Sequence, residues 1–235
     1  MAPAPAEQQE GRRSSRWGDL RIRVISAAVL GPVALICIWV GGFAFGVLVA
    51  VGAIGLSVEW SRMTRPSRSH AGWFLGGLVY FALAAAAVVS IREDPVAGRA
   101  NFLFLVLLVW ASDIGAYVAG RSFGGPRLAP SISPGKTFSG AGGGLLCAVL
   151  VGLGAAVLVP APLWRAGLLG GLLGVVAQAG DLLESFAKRS FGVKDSSRLI
   201  PGHGGLLDRL DALLAVVLAA WVLVQLEGGG VILWQ

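Results

Sequence analysis

The chain has 235 residues, of which 55% are hydrophobic and 14% are charged, and its mean hydropathy is +0.75. A soluble domain usually carries about 25% charged residues, so this chain lacks the polar surface to cover a globule of its size. The composition excludes soluble, disordered and collagen-like proteins and predicts an integral membrane protein. The 35 glycines suit close packing of helices in lipid, and the two cysteines lie in apolar runs, where a packing role is expected.

Seven apolar stretches follow one another along the chain, each bounded by charged residues, proline or glycine. They occupy residues 24–40, 43–58, 71–91, 100–119, 138–159, 163–180 and 212–226. A helix needs about 17 to 25 residues to cross a bilayer, so the second and the last stretch are the shortest candidates. The sequence therefore predicts an all-α, polytopic transmembrane protein with about seven spans.

Lysine and arginine are divided unevenly between the two sets of loops. Of the 19 basic residues, Arg92, Arg99 and Arg165 fall on one side, and the other 16 fall in the N-terminal segment and the alternate loops. Cytoplasmic loops carry an excess of Lys and Arg, so this division supports seven spans with the basic loops in the cytoplasm.

Two polar blocks interrupt the apolar pattern, both on the predicted cytoplasmic side. The first covers residues 113–140 and the second 181–211, and each opens with an aspartate at the end of an apolar stretch, Asp113 or Asp181. A carboxylate at the centre of a bilayer costs about 2.5 to 3.5 kcal/mol on insertion scales, so acids near span ends usually serve a site or pair internally. We therefore expect the blocks to build a site at the membrane surface.

The second block has the residue types of a metal and phosphate site. Asp181, Glu184 and Lys188 share one face of a helix, on which Glu184 is expected to make only a surface pair with Lys188. Asp181 and Asp208, supplied by two helix ends, suit Mg²⁺, which prefers oxygen ligands and keeps waters or substrate phosphates in its other positions. The glycine-rich turn around His203 brings backbone amides together, as phosphate-binding loops require. Basic residues that would meet phosphate oxygens are Lys188, Arg189, Lys194, Arg198 and Arg209.

The second block resembles the signature of the phosphatidate cytidylyltransferase, or CDP-diacylglycerol synthase, family. The matching residues are Ser185, Lys188-Arg189, Lys194-Asp195, Ser197, Ile200-Pro201, His203-Gly204-Gly205 and Asp208-Arg209-Leu210-Asp211. Those of the first block are Asp113, Ala116-Tyr117, Gly120-Arg121, Ser133-Pro134 and Lys136-Thr137. The chain departs from the family pattern at Ser139, where a glutamate is usual, and at Ala187, where a larger apolar residue is usual. The N-terminal spans match in little beyond hydropathy and the Glu59-Trp60 pair.

Members of this family transfer CMP from CTP to phosphatidate, giving CDP-diacylglycerol and pyrophosphate for phospholipid biosynthesis. The resemblance implies in-line attack of a lipid phosphate oxygen on the α-phosphorus of CTP, with catalysis dominated by neutralisation of the two anions. It implies Mg²⁺ held by Asp181 and Asp208, with Asp211 and Asp113 in its outer shell or on another cation, and K⁺ beside it.

The resemblance also implies roles for the other polar residues. Catalysis is expected from Asp181, Asp208, Lys188 and His203, the last by orienting a phosphate or carrying a proton. Residues expected to bind the substrates are Ser133, Lys136, Thr137, Ser185, Arg189, Lys194 and Arg209.

The resulting organisation is a cytoplasmic tail at 1–23, transmembrane helices at 24–112 and a catalytic transmembrane region at 113–235 that contains the signature loop 181–211. The expected partners are CTP, phosphatidate and the lipid bilayer, without nucleic acid, and a second copy of the chain in a homodimer. The expected location is the bacterial inner membrane, multi-pass, with the active site facing the cytoplasm.

Three other functions compete with this interpretation. Another CTP-dependent lipid transferase, of the CDP-archaeol synthase or polyprenol kinase type, would use the same chemistry. A transporter would place its acids near the middle of the membrane and often show paired repeats. A structural scaffold would explain the hydropathy but not two dense polar blocks on one face.

Overall fold

The computed structural model describes residues 5–64, 70–197, 199–202 and 204–235, with side chains described from Arg21 onward, Arg23 excepted. These residues form seven helices and one short hairpin. The helices are α1 (Pro5–Val40), α2 (Gly42–Thr64), α3 (Ala71–Arg92), α4 (Gly98–Phe123), α5 (Phe138–Leu158), α6 (Leu163–Ser190) and α7 (Leu207–Leu226). The hairpin pairs β1 (Arg127–Ala129) with β2 (Ser133–Thr137) in antiparallel fashion. The predicted all-α class is confirmed.

Within the described residues, the five helices from α2 to α6 are long and apolar enough to cross a membrane. The apolar part of α1, Val24–Val40, is shorter, and α7 opens with Asp208, Arg209 and Asp211. The predicted count of about seven spans is therefore not exact, although each predicted stretch lies in a helix of its own. The helical backbone of α1 also runs through most of the segment predicted as a tail.

Close backbone contact holds the central helices together. Helices α4, α5, α6 and α7 pack against one another in sequence order, and α3 packs against α2 and α7. Where α5 crosses α6, a Cβ atom at Gly152 would lie 2.2 Å from the carbonyl oxygen of Ala166, and one at Gly170 would lie 2.5 Å from that of Ala148. Glycine is thus required at this crossing. Small residues commonly allow such close approach of helix backbones in lipid.

A buried arginine fixes the junction of α1, α2 and α3 at the end of the molecule opposite the polar blocks. Arg92 is only 6% exposed, and its guanidinium donates to the carbonyl oxygens of Ile38 (2.5 Å) and Trp39 (2.9 Å). These carbonyls belong to the last turn of α1, where backbone acceptors have no partner within the helix and a cation is favoured. The next residue, Glu93, accepts a hydrogen bond of 2.9 Å from the amide of Gly42 at the start of α2.

We predict that Arg92→Met lowers the free energy of unfolding by about 2 kcal/mol, because charged hydrogen bonds to the α1 carbonyls are lost while the apolar stem is kept. Thermal unfolding of the purified protein in detergent measures this effect. Arg99→Met is the control, since exposed Arg99 stacks on Trp39 at 4.6 Å and its loss should cost about 1 kcal/mol or less. Equal unfolding temperatures for the Arg92 variant and the wild type would contradict the assignment.

Candidate active site

The hairpin brings the first polar block against the second. Strand β2 ends at Thr137, whose hydroxyl caps α5 by accepting from the amide of Gly140 at 3.1 Å. The adjacent Lys136 extends to α6, where its Nζ lies 2.5 Å from a carboxylate oxygen of Asp181. The hydroxyl of Ser139, at the position where a glutamate was expected, donates to the carbonyl of Gly124 at the end of α4. The two blocks therefore form one site.

A three-membered ion cluster joins α6 to α7. Lys188 Nζ lies 2.7 Å from Glu184 Oε2 and 2.6 Å from Asp208 Oδ1. The helical spacing had predicted the Glu184–Lys188 pair, and the structure confirms it. The prediction that Glu184 makes only a surface contact is wrong, because its side chain is only 6% exposed. The side chains of Lys188 and Asp208 are 12% and 13% exposed, so the whole cluster is buried or nearly so.

The part of the signature loop between α6 and α7 binds the other carboxylate oxygen of Asp208. Asp208 Oδ2 accepts hydrogen bonds of 3.1 Å from the amides of Ser196 and Gly205 and lies 3.1 Å from the Ser196 hydroxyl. A Cβ atom at Gly205 would stand 1.8 Å from that hydroxyl oxygen and 2.9 Å from Asp208 Oδ2. Glycine at position 205 therefore permits the loop to close on the carboxylate, because any side chain there would collide with these two oxygens.

Glu184 of the ion cluster also belongs to a group of three acids. Asp181, Glu184 and Asp211 each offer a carboxylate oxygen, and the three oxygens lie within 4.8 Å of one another. Glu184 Oε1 is buried and has no hydrogen-bond partner among the described residues. Three converging carboxylates repel one another, and either protonation of one of them or a bound cation relieves this repulsion. Oxygen donors of this kind suit a hard divalent cation. We call Asp181, Glu184 and Asp211 the acidic trio.

The acidic trio differs from the pair proposed from the sequence. Asp181 and Asp211 were expected near a metal, whereas Glu184 was assigned no such role. Asp208, expected to share an ion with Asp181, accepts hydrogen bonds from the loop and from Lys188. Its role as a metal ligand stays a prediction, as does that of Asp113, which lines a cavity together with Asp181.

Two cavities meet at the acidic trio. A polar cavity of about 370 Å³ lies against α4, the hairpin and α6, and Asp113, Arg121, Lys136 and Asp181 are among its lining residues. An apolar cavity of about 490 Å³ lies between α2, α3, α6 and α7. Its lining residues include Trp60, Trp73, Gly72, Gly76 and Tyr80, together with Glu184 and Asp211 of the trio. The trio therefore separates a water-compatible space from a lipid-compatible one.

The remaining predicted residues are distributed around this centre. Arg189 donates to the carbonyl of Ile132 in the hairpin turn at 3.2 Å and to that of Val193 at 2.9 Å, so it links the hairpin to the segment that follows α6. Ser185 is buried on α6, and Ser133 begins β2. Lys194 and Arg209 are exposed. His203 and Arg198 lie outside the described residues, so their predicted roles stay predictions.

Comparison with known proteins identifies relatives that span most of the chain. A family model described as the cytidylyltransferase family matches residues 66–227. The phosphatidate cytidylyltransferase of Brucella suis biovar 1 is 39% identical over 243 residues, which cover 84% of this chain and 90% of that protein. The phosphatidate cytidylyltransferase of Staphylococcus saprophyticus is 38% identical over 181 residues, which cover 76% of this chain and 68% of that protein.

We predict that Lys188→Met lowers the free energy of unfolding by about 3 kcal/mol, because it leaves two buried carboxylates without their cation. Chemical or thermal unfolding of the purified variant measures the loss. Lys194→Met, at an exposed lysine six residues further along, should change stability by less than about 0.5 kcal/mol. If both variants unfold together with the wild type, the ion cluster does not stabilise the fold.

Proposed function

Because the chain belongs to the cytidylyltransferase family, we propose that it transfers CMP from CTP to phosphatidate, yielding CDP-diacylglycerol and pyrophosphate. The main support is that relatives named for this activity align over most of the chain. The meeting of a polar and an apolar cavity at one set of acids adds to it, because the reaction joins a water-soluble anion to a lipid anion.

We assign the nucleotide to the polar cavity and the lipid tails to the apolar cavity. Lys136 and Arg121 line the polar cavity and offer cationic donors to phosphate oxygens. Moving an acyl chain from the bilayer into an apolar cavity gains little free energy, since lipid tails are themselves apolar. Affinity for the lipid would therefore come from its phosphate, and the apolar cavity would decide which tails fit.

In the proposed reaction, an oxygen of the lipid phosphate forms a bond to the α-phosphorus of CTP. The bond from that phosphorus to the bridging oxygen breaks, and pyrophosphate leaves with the bond's electron pair. Two anions approach each other, so most of the catalytic free energy must come from positioning and from cationic neutralisation. Lys136 contributes charge from the hairpin, and Lys188 keeps Glu184 and Asp208 in place.

The proposed cofactor is Mg²⁺, for which the acidic trio supplies the donor set. The buried, unpartnered Glu184 Oε1 fits such a role, because a carboxylate oxygen without a partner is costly among apolar side chains. Mg²⁺ bound there would neutralise charge on the nucleotide phosphates. Asp208 and Asp113 as further ligands and a neighbouring K⁺ remain part of the proposal.

The proposed location is the bacterial inner membrane, with the site facing the cytoplasm. The site lies at the C-terminal end of α6 and the N-terminal end of α7, whereas Arg92, Arg99 and Arg165 lie at the opposite helix ends. An excess of basic residues around the site agrees with the cytoplasmic orientation. A homodimer stays a prediction, which the mass of the purified protein in detergent would test.

The activity is tested with the purified chain in detergent, Mg²⁺, phosphatidate and CTP labelled at its α-phosphate, which stays in the transferred CMP. We expect labelled CDP-diacylglycerol and an equal amount of pyrophosphate, with little product from GTP or dATP. A second assay with CTP labelled at its γ-phosphate tests the alternative, because a polyprenol kinase would place that label on a prenyl alcohol, whereas CMP transfer would leave it in pyrophosphate. Absence of labelled lipid with any phosphatidate would contradict the proposed function.

The apolar cavity generates a second prediction, at Gly76 of α3. A Cβ atom at Gly76 meets nothing within 4 Å, so a side chain there has room to enter the cavity. We predict that Gly76→Leu raises the KM for long-chain phosphatidate about tenfold and leaves the KM for CTP within threefold of wild type. The leucine side chain would fill part of the apolar cavity, where the lipid tails are assigned, and would leave the polar cavity unchanged. The control is Gly154→Leu on the exposed face of α5, where a Cβ is equally free. An unchanged KM for phosphatidate in the Gly76 variant would show that the lipid tails do not bind in this cavity.

A further inference from the structure

A glutamate outside the signature holds the site from α2. Glu59 is 1% exposed, and it is not among the residues that line either cavity. Resting on the proposed function, we infer that Glu59 is a positioning residue for the transfer. It fixes the signature loop and the start of α7, and through them Asp208 and Asp211.

Both carboxylate oxygens of Glu59 receive donors from the segment that precedes α7. Oε1 accepts from the amide of Leu206 at 2.8 Å and from the Ser197 hydroxyl. Oε2 accepts from the amide of Leu207 at 2.8 Å and lies 3.2 Å from the Ser196 hydroxyl. One side chain of α2 thus binds two parts of the signature loop, residues 196–197 and 206–207, more than 130 residues away in the sequence.

The start of α7 explains why an acid is needed at this position. The first amides of a helix have no partner within the helix, and a side chain at the N-cap usually accepts from them. Here the N-cap residue is Leu206, whose side chain has no acceptor, and Glu59 takes over that role from another helix. Its negative charge is also favoured at a helix N-terminus.

The link from Glu59 to the site runs through Ser196. The Ser196 hydroxyl lies 3.2 Å from Glu59 Oε2 and 3.1 Å from Asp208 Oδ2, so it can donate its single proton to either carboxylate. Asp208 in turn binds Lys188 on α6. Asp211 follows Asp208 by three residues, so a shift at the start of α7 displaces both acids. Because Glu59 is not among the residues that line either cavity, it acts through these other residues.

The test compares Glu59→Gln with the wild type in the CTP and phosphatidate assay. Glutamine keeps the shape but turns an NH₂ group toward a backbone N–H, so one side of the cap is lost. We expect kcat to fall at least tenfold, with both KM values within threefold of wild type. In the Asp208→Asn background the same change should cost less than threefold, because the two residues act as a unit.

The matched control is Thr64→Val, on the same helix and also 1% exposed, which removes only a hydrogen bond to the Trp60 carbonyl. It should lower the unfolding temperature without changing kcat. If Glu59→Gln does not fold, Ser197→Ala, which removes one donor to the same carboxylate, should lower kcat about threefold or more at unchanged KM.

A wild-type chain without activity would overturn the proposed function. An active wild type whose folded Glu59→Gln variant, or in its place Ser197→Ala, keeps the wild-type kcat would overturn the role of Glu59 alone. Full additivity with Asp208→Asn would do the same, because it would show that Glu59 does not act through α7.

Discussion

The ammonium group of Lys188, held between Glu184 and Asp208, is the interaction on which the site depends. Removing three charges from water is costly, and their mutual attraction offsets this cost only when the remaining donors and acceptors are satisfied. Asp208 meets that condition, because the amides of Ser196 and Gly205 close on its second oxygen. Through Asp208, one lysine therefore ties α6, α7 and the segment between them into a single unit.

Glu184 meets the condition only in part, and for this reason we propose that a metal ion binds beside it. Its Oε2 faces Lys188, while its Oε1 is buried without a partner in the described part of the chain. Asp181 and Asp211 bring two further carboxylates to the same place, at the boundary between the polar and the apolar cavity. A membrane nucleotidyltransferase needs such a boundary, since one substrate comes from water and the other from the bilayer.

The sequence predicts those features that depend on local spacing. The helical face that carries Asp181, Glu184 and Lys188 follows from residues three and four apart, and the apolar stretches locate the helices. The meeting of the two polar blocks was expected from their common side of the membrane, and the contact between Lys136 and Asp181 bears it out. The family followed from the length of the signature, which few unrelated chains would match by chance.

The features that the sequence could not predict depend on tertiary packing. Glu59 gains its role from donors that lie far along the chain, and its only signal was the Glu59-Trp60 pair. The sequence placed Arg92 among the basic residues of the loops, yet its side chain is buried against the end of α1. The burial of Glu184 depends on α7 and on the apolar cavity, which no helical periodicity describes. The β1–β2 hairpin consists of two short strands, too short for an alternating pattern to be recognised.

The most direct test of the account is the Mg²⁺ dependence of CMP transfer in an Asp211→Asn variant. If the acidic trio supplies the cation site, the rate should fall about a hundredfold, which corresponds to about 3 kcal/mol, and half-saturation should require more Mg²⁺. Glu227→Gln, at the far end of α7 where it pairs with Arg165, should leave both quantities unchanged. A folded Asp211 variant with wild-type rate and Mg²⁺ dependence would contradict the account.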